Sequence, residues 1–122
     1  MTNTGSVTKL SNTAPPAVAL GQVRGGGIGL TSNPEGIAID SANNIWVLND
    51  NTETVSELDG NGNALSPANG FTAGGLIRTV RFGIAIDRSG NVWIGATSSM
   101  TELIGAAAPV ATPLVHGRPI AP

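Results

Sequence analysis

Few side chains in this 122-residue chain can do chemistry: one histidine, eight acidic and six basic residues, and no cysteine. That inventory excludes a two-histidine metal pair, a thiolate nucleophile, a disulfide and Cys-ligated zinc. A general base needs partners within hydrogen-bond reach. His116 stands instead in Pro113-Leu114-Val115-His116-Gly117-Arg118-Pro119, a proline-rich extended tail that offers none, and it reads as a solvated tail residue. No Ser-His-Asp set can be assembled around it. Asp59-Gly60-Asn61-Gly62-Asn63 has the composition of a calcium loop, but an EF-hand needs Gly at its sixth position and Glu at its twelfth, where Ala64 and Gly70 stand. The segment reads as a turn. Gly25-Gly26-Gly27-Ile28-Gly29 follows no βα unit and precedes no helix, the context in which a glycine loop cradles phosphate. Glu35, directly before Gly36, reads as a charged loop residue.

What must position these residues is an internal repeat. Gly36-Ile37-Ala38-Ile39-Asp40 recurs as Gly83-Ile84-Ala85-Ile86-Asp87, and Asn44-Ile45-Trp46-Val47 recurs as Asn91-Val92-Trp93-Ile94, both at an offset of 47. Val55-Ser56-Glu57-Leu58 then corresponds to Met100-Thr101-Glu102-Leu103 at an offset of 45, so the intervening loop is two residues shorter in the second copy, as surface loops tolerate. Val7-Thr8-Lys9-Leu10 matches Val55-Ser56-Glu57-Leu58 at an offset of 48, so the chain begins in mid-repeat. A fixed period of this size means units that need neighbours to bury their faces.

Each unit reads as short strands. Gly36 to Asp40 and Asn44 to Leu48 are rich in β-branched and aromatic residues and are bounded by turn residues. Ser41-Ala42-Asn43 and Arg88-Ser89-Gly90 make the tight connections, with Gly90 suited to positive φ and Asn43 next best. A third strand fits Thr54 to Leu58 and Ser99 to Leu103, and a weaker fourth lies near Gly70 to Ala73 and Thr112 to Val115. Asp40 and Asp87 end equivalent strands ahead of turns, where a carboxylate accepts backbone N–H groups. Their recurrence marks them as structural. Trp46 and Trp93 are likewise equivalent and read as packing between units rather than as ligand platforms. Four strands per roughly 45 residues is the content of a propeller blade, and propellers close with about four to eight of them.

The chain carries about a quarter Leu, Ile, Val and Phe and about a fifth Gly plus Pro, which describes a folded, turn-rich protein of one core. Six scattered basic residues and a formal charge of -2 give no footprint for nucleic acid. No apolar stretch approaches the roughly 20 residues of a membrane-spanning helix. The N-terminus, MTNTGSVTKL, shows neither the basic nor the apolar region of a signal peptide.

The pattern of GIAID, turn, N-(I/V)-W-(V/I), loop and (S/T)-E-L resembles the NHL-repeat and streptogramin-lyase-like group of six-bladed β-propellers over about residues 7 to 115. The resemblance implies a ring of blades around a channel, first strands innermost, with ligands met on one face. It also implies an extracellular or periplasmic location. The family includes lyases that open cyclic antibiotics, metal-dependent lactonases, and binding or scaffold proteins. Streptogramin lyases pair a catalytic His with Glu and a magnesium site, which His116 lacks. Glu35-Gly36 resembles the Glu-Gly of sugar lactonases, where Glu binds a divalent metal. The usual Pro after that Gly is absent, the second copy has Phe82-Gly83, and metal ligands from distant blades are missing.

The expectation is therefore an all-β chain of β-propeller-type blades, each a four-stranded antiparallel sheet, in an incomplete ring. Residues 1–24 are the end of a preceding blade plus linker, 25–75 blade one, 76–115 blade two and 116–122 a Pro-rich tail. The reading is a structural or interaction module with no catalytic residue and no cofactor. It meets a protein or small ligand on the face formed by loops 25–35, 49–54 and 74–82. A fragment, a truncated product and a subunit completing a ring with copies of itself all fit the length. The alternative is part of a lyase or lactonase using magnesium or calcium, with Glu35 as metal candidate. A small sandwich of the two units packed face to face also fits the strand spacing.

Overall fold

The structure is a computed structural model that describes residues 5–12, 19–23, 26–28, 33–72 and 81–110. Its regular elements are eight strands: β1 (Val7–Leu10), β2 (Ala19–Val23), β3 (Pro34–Ile39), β4 (Ile45–Asn49), β5 (Thr54–Leu58), β6 (Arg81–Ile86), β7 (Val92–Ala96) and β8 (Met100–Leu103). They form three antiparallel sheets, β1-β2, β3-β4-β5 and β6-β7-β8, and none closes on itself. No helix occurs among the described residues. The all-β expectation holds, and the repeat-matched strands lie within a residue or two of where the sequence put them.

The two complete sheets are copies in register as well as in sequence. Ala38 pairs with Trp46 and Trp46 with Glu57; Ala85 pairs with Trp93 and Trp93 with Glu102. Both first strands slip register at the same place, skipping Glu35 in one and Phe82 in the other. The turns match too, with positive φ at Asn43 (68°) and Gly90 (84°). At Gly90 a glycine is obligatory for a second reason, because an added Cβ would overlap the Ala107 carbonyl oxygen. The fourth strand is reduced to one bridge, Val55 with Phe71. Ala73 and the Thr112 to Val115 strand lie outside the described residues. β2 was not expected; its Ala-Leu-Gly-Gln-Val sequence has neither alternation nor a repeat match, and pairing with β1 makes it a strand.

β4 explains the stacking. Successive side chains of a strand point to opposite faces, and β4 is apolar on both. Trp46 and Leu48, with Val55, join Val92, Ile94 and Ala107 in one core, against which Ala38, Phe71, Ile84, Ile86 and Leu103 pack. Val47, with Leu58 and Ile28, forms a second core on the other face, closed by Ile45 and Val7. The middle sheet is thus filled in between β6-β7-β8 on one side and β1 with Ile28 on the other. The surfaces that meet are not equivalent: the Trp46 face of one sheet covers the Ile84 face of the next. A symmetric sandwich would bring equivalent faces together, so the units stack head to tail.

The same sequence consequently has two fates. Trp46 is fully buried and Trp93 is only half-buried, because no described residue packs over its sheet as β6-β7-β8 packs over Trp46. At the opposite end Ile37 (57% exposed) and Ile39 (61%) lie open, whereas their counterparts Ile84 and Ile86 are covered. Truncating Trp46 to Ala should cost about 3–5 kcal/mol. Trp93→Ala should cost distinctly less. Urea midpoints of the two variants measure the difference, and equal losses would contradict the one-sided stack.

Candidate functional site

Three aspartates hold their turns in one way. Asp40 Oδ1 accepts the backbone N–H groups of Ala42 (3.0 Å) and Asn44 (2.9 Å), and its Oδ2 accepts Asn44 Nδ2 (3.2 Å), Trp46 Nε1 (3.2 Å) and the Ala108 N–H (3.0 Å). Asp87 repeats this with the N–H groups of Ser89 (2.9 Å) and Asn91 (3.0 Å), Asn91 Nδ2 (2.9 Å) and Trp93 Nε1 (3.0 Å). Asp59 holds Asn61 N–H, Asn63 N–H and Asn63 Nδ2, each at 2.8 Å, so the segment with a calcium-loop composition is a turn of this kind. The shared unit is Asp-x-x-x-Asn. A carboxylate offers about four lone-pair sites; Asp40, with five donors, has none left for a substrate proton or a cation. Its bond from Ala108 also ties the middle sheet to the segment after β8, and Ser41 Oγ adds donations to the carbonyls of Ala108 and Pro109.

Protonation follows these contacts. Burial alone would raise Asp40, but the donors from Ala108, Asn44, Trp46 and Ala42 outweigh it and hold the carboxyl below its ordinary value. The Trp93 indole, aided by Asn91 and Ser89, lowers Asp87 to about 2. Asn63, by side chain and then backbone, lowers Asp59. Glu57 moves the other way: burial and then the charge of Asp40 push it up, opposed by Asn44 Nδ2, which reaches both carboxylates (3.2 Å to Asp40 and 3.1 Å to Glu57). Two carboxyls driven apart resemble an acid–base pair, yet Asp40 cannot take a proton without releasing its turn. The pair is structural.

The loop face has more room for a ligand. The Asp50 N–H donates to the Asn33 carbonyl at 3.0 Å, joining two of the three expected loops; residues 74–80 of the third lie outside the described residues. Beside this junction lies an open cavity of about 390 Å³ lined by Gly27, Ile28, Thr52, Thr54, Asn69 and Thr72. Behind Thr54, the fully buried Asn49 donates from Nδ2 to Ser56 Oγ (2.8 Å) and Thr54 Oγ1 (3.3 Å), while its Oδ1 has no partner among the described residues. Gly27, at φ 100°, crosses this cluster so closely that a Cβ would lie 2.7 Å from Ser56 Oγ. Ser66 Oγ anchors the same segment by donating to the Gly26 carbonyl at 2.7 Å. The sequence did not single out Asn49, Ser56 or Ser66. The repeat supplies no signal for Asn49 because its counterpart is Ala96.

Glu35 is exposed at the bulge of β3, with Asn33 Nδ2 donating to its Oε1 at 3.0 Å. No three His, Cys, Asp or Glu side chains converge among the described residues. Trp46 and Phe71 stack at 5.9 Å and line an apolar cavity of about 450 Å³ with Pro67 and Leu103. His116, Gly25 and Gly29 lie outside the described residues. Comparison with family models, with curated proteins and with solved structures returned no match.

Stability should have a maximum on the acid side of neutrality. The lowered aspartates contribute fully above their ordinary value of 3.8, and that contribution is lost as pH falls toward the folded value of about 2 for Asp87. Raised Glu57 contributes below its ordinary 4.5 and loses this as pH rises. Urea midpoints should therefore climb slightly from neutral pH to about 4.5 and fall below 3.8, and Asp87→Asn should flatten the acid limb. An acid limb as steep in the variant as in the parent would remove Asp87 from this account.

Proposed function

We propose that the chain is a structural and interaction module built of propeller-type, NHL-like repeats, which meets a protein or small ligand on the face formed by loops 25–35, 49–54 and 74–82. The observation that carries this reading is the head-to-tail stack. Two sequence-equivalent sheets join through non-equivalent faces, and the aspartates shared by the repeat are consumed in holding turns. Units of that kind are made to present a surface rather than to react. The open cavity beside Thr52, Thr54 and Asn69 supports placing the ligand on the loop face, since its walls combine hydroxyl and amide groups with the apolar Ile28.

The competing reading, part of a magnesium- or calcium-dependent lyase or lactonase, puts a metal on Glu35. It draws support from the position of that side chain, exposed at a bulge, because bulges re-aim side chains at functional rims. Calorimetric titration with magnesium and with calcium separates the two. The module reading expects no saturable heat with either ion. A saturable isotherm that disappears in Glu35→Ala would replace it with the metal enzyme.

A further inference from the structure

We propose that a second copy of this chain docks by laying its β6–β7 hairpin over the notch between β1 and β3, where β1 takes the place of the incoming hairpin's own β8. The inference rests on the repeat-module reading above. β1 pairs with β2 alone among the described strands, and its other edge borders an open notch of about 280 Å³ lined by Ser6, Val7, Thr8, Glu35, Ile37 and Val47. By sequence β1 is a third strand, equivalent to β5 and β8, and in both complete sheets the third strand pairs on one edge with the second. The notch, far smaller than two strands, marks the place at which a second strand would meet β1.

The surfaces left open at the two ends of the stack are the two halves of an interface the chain already makes once. Inside the molecule Ala38 and Trp46 cover Ile84 and Ile86. Their counterparts are Ala85 and Trp93, beside the exposed Met100 at one end, and Ile37 and Ile39 at the other. Bringing Ala85 and Trp93 of one copy onto Ile37 and Ile39 of the next repeats the internal contact. An exposed apolar patch with this complementarity is an association surface, and the unpaired edge of β1 is a template for strand addition.

Charge selects β1 over β8 on the incoming hairpin. β7 now pairs with Met-Thr-Glu-Leu, setting Glu102 opposite Trp93. The equivalent Glu57 in the middle sheet is pushed up in part by the charge of Asp40. β1 reads Val-Thr-Lys-Leu. In the same register Lys9 falls opposite Trp93, and an ammonium replaces a carboxylate near Asp87. One strand ladder is exchanged for a like one at the cost of the packing of Leu103 against the core and of the bond from Lys9 Nζ to the Gly60 carbonyl (2.8 Å), while the apolar faces at the two ends become covered and an attractive charge pair forms. The contact is heterologous, so successive copies form a ring or an open chain.

Light scattering behind a sizing column, run over a concentration series with a far-UV spectrum of each peak, tests this. The parent chain should give multiples of 12.2 kDa whose population grows with concentration. Ile37→Asp with Ile39→Asp, at positions exposed in the monomer, should keep the β spectrum and remain monomeric. Lys9→Glu should raise the midpoint concentration of association about tenfold at low salt. A folded parent that stays at 12.2 kDa at its highest soluble concentration overturns the docking and leaves the module reading standing. Undiminished association of the Ile37/Ile39 variant overturns it equally. A parent without β signal overturns both.

Discussion

A strand that is apolar on both faces forces its sheet to be covered on both, and β4 is such a strand. Ile45 and Val47 face one way and Trp46 and Leu48 the other, so neither a lone sheet nor a two-layer sandwich would bury them. Everything else in the arrangement answers that demand. β6-β7-β8 covers the tryptophan side, and β1 with Ile28 covers the valine side. Full burial of Trp46, at roughly 150–250 Å² for a ring of its size, makes the first contact the larger source of stability. The second contact is smaller and stops short of Ile37 and Ile39, because β1 and β2 form a sheet of only two strands.

Apolar cover sets which faces meet but not their alignment; the aspartate turns add alignment. Each Asp-x-x-x-Asn unit fixes the turn after a strand with hydrogen bonds from its own N–H groups, and in two of them the carboxylate also orients the tryptophan one strand later. Asp40 goes further by taking the Ala108 N–H from the neighbouring sheet. One carboxylate thereby links turn geometry, indole orientation and the spacing between sheets. Its ionisation is maintained by donors that burial makes more effective, and the cost appears nearby in Glu57, which is harder to ionise.

The repeat made most of this legible. Two copies of GIAID and N-x-W, placed at a fixed offset, located β3, β4, β6 and β7, and a third-strand match located β1, β5 and β8. The role of Asp40 and Asp87 was readable because a recurring carboxylate before a turn has few other tasks. The loop-face cluster was not readable. Asn49 bonds Ser56 across the β4–β5 ladder, Ser66 reaches 40 residues back to Gly26, and a single Asn in one copy has no partner in the other to flag it. β2 escaped for the same reason, since its strand character comes from the edge of β1 rather than from its own residues. The Trp46 and Trp93 pair shows the limit from the other side: identical sequence positions differ in burial because burial belongs to the neighbour.

The two copies also act as each other's control for function. Positions that agree between them, the Ile-Ala-Ile strand, the aspartate turn and the tryptophan, are what any unit needs to stack. Positions that disagree are free of that need and can be shaped by something else. On the loop face the copies disagree at Glu35 against Phe82 at the same bulge, and at Asp50 to Glu53 against a connection two residues shorter. The amide of Asn49, whose oxygen has no partner among the described residues, adjoins that divergent loop, and Ala96 stands in its place in the other copy. A buried acceptor left open costs stability unless something uses it. The place where the repeat is broken, rather than the place where it is kept, is therefore where the proposed module reading puts recognition.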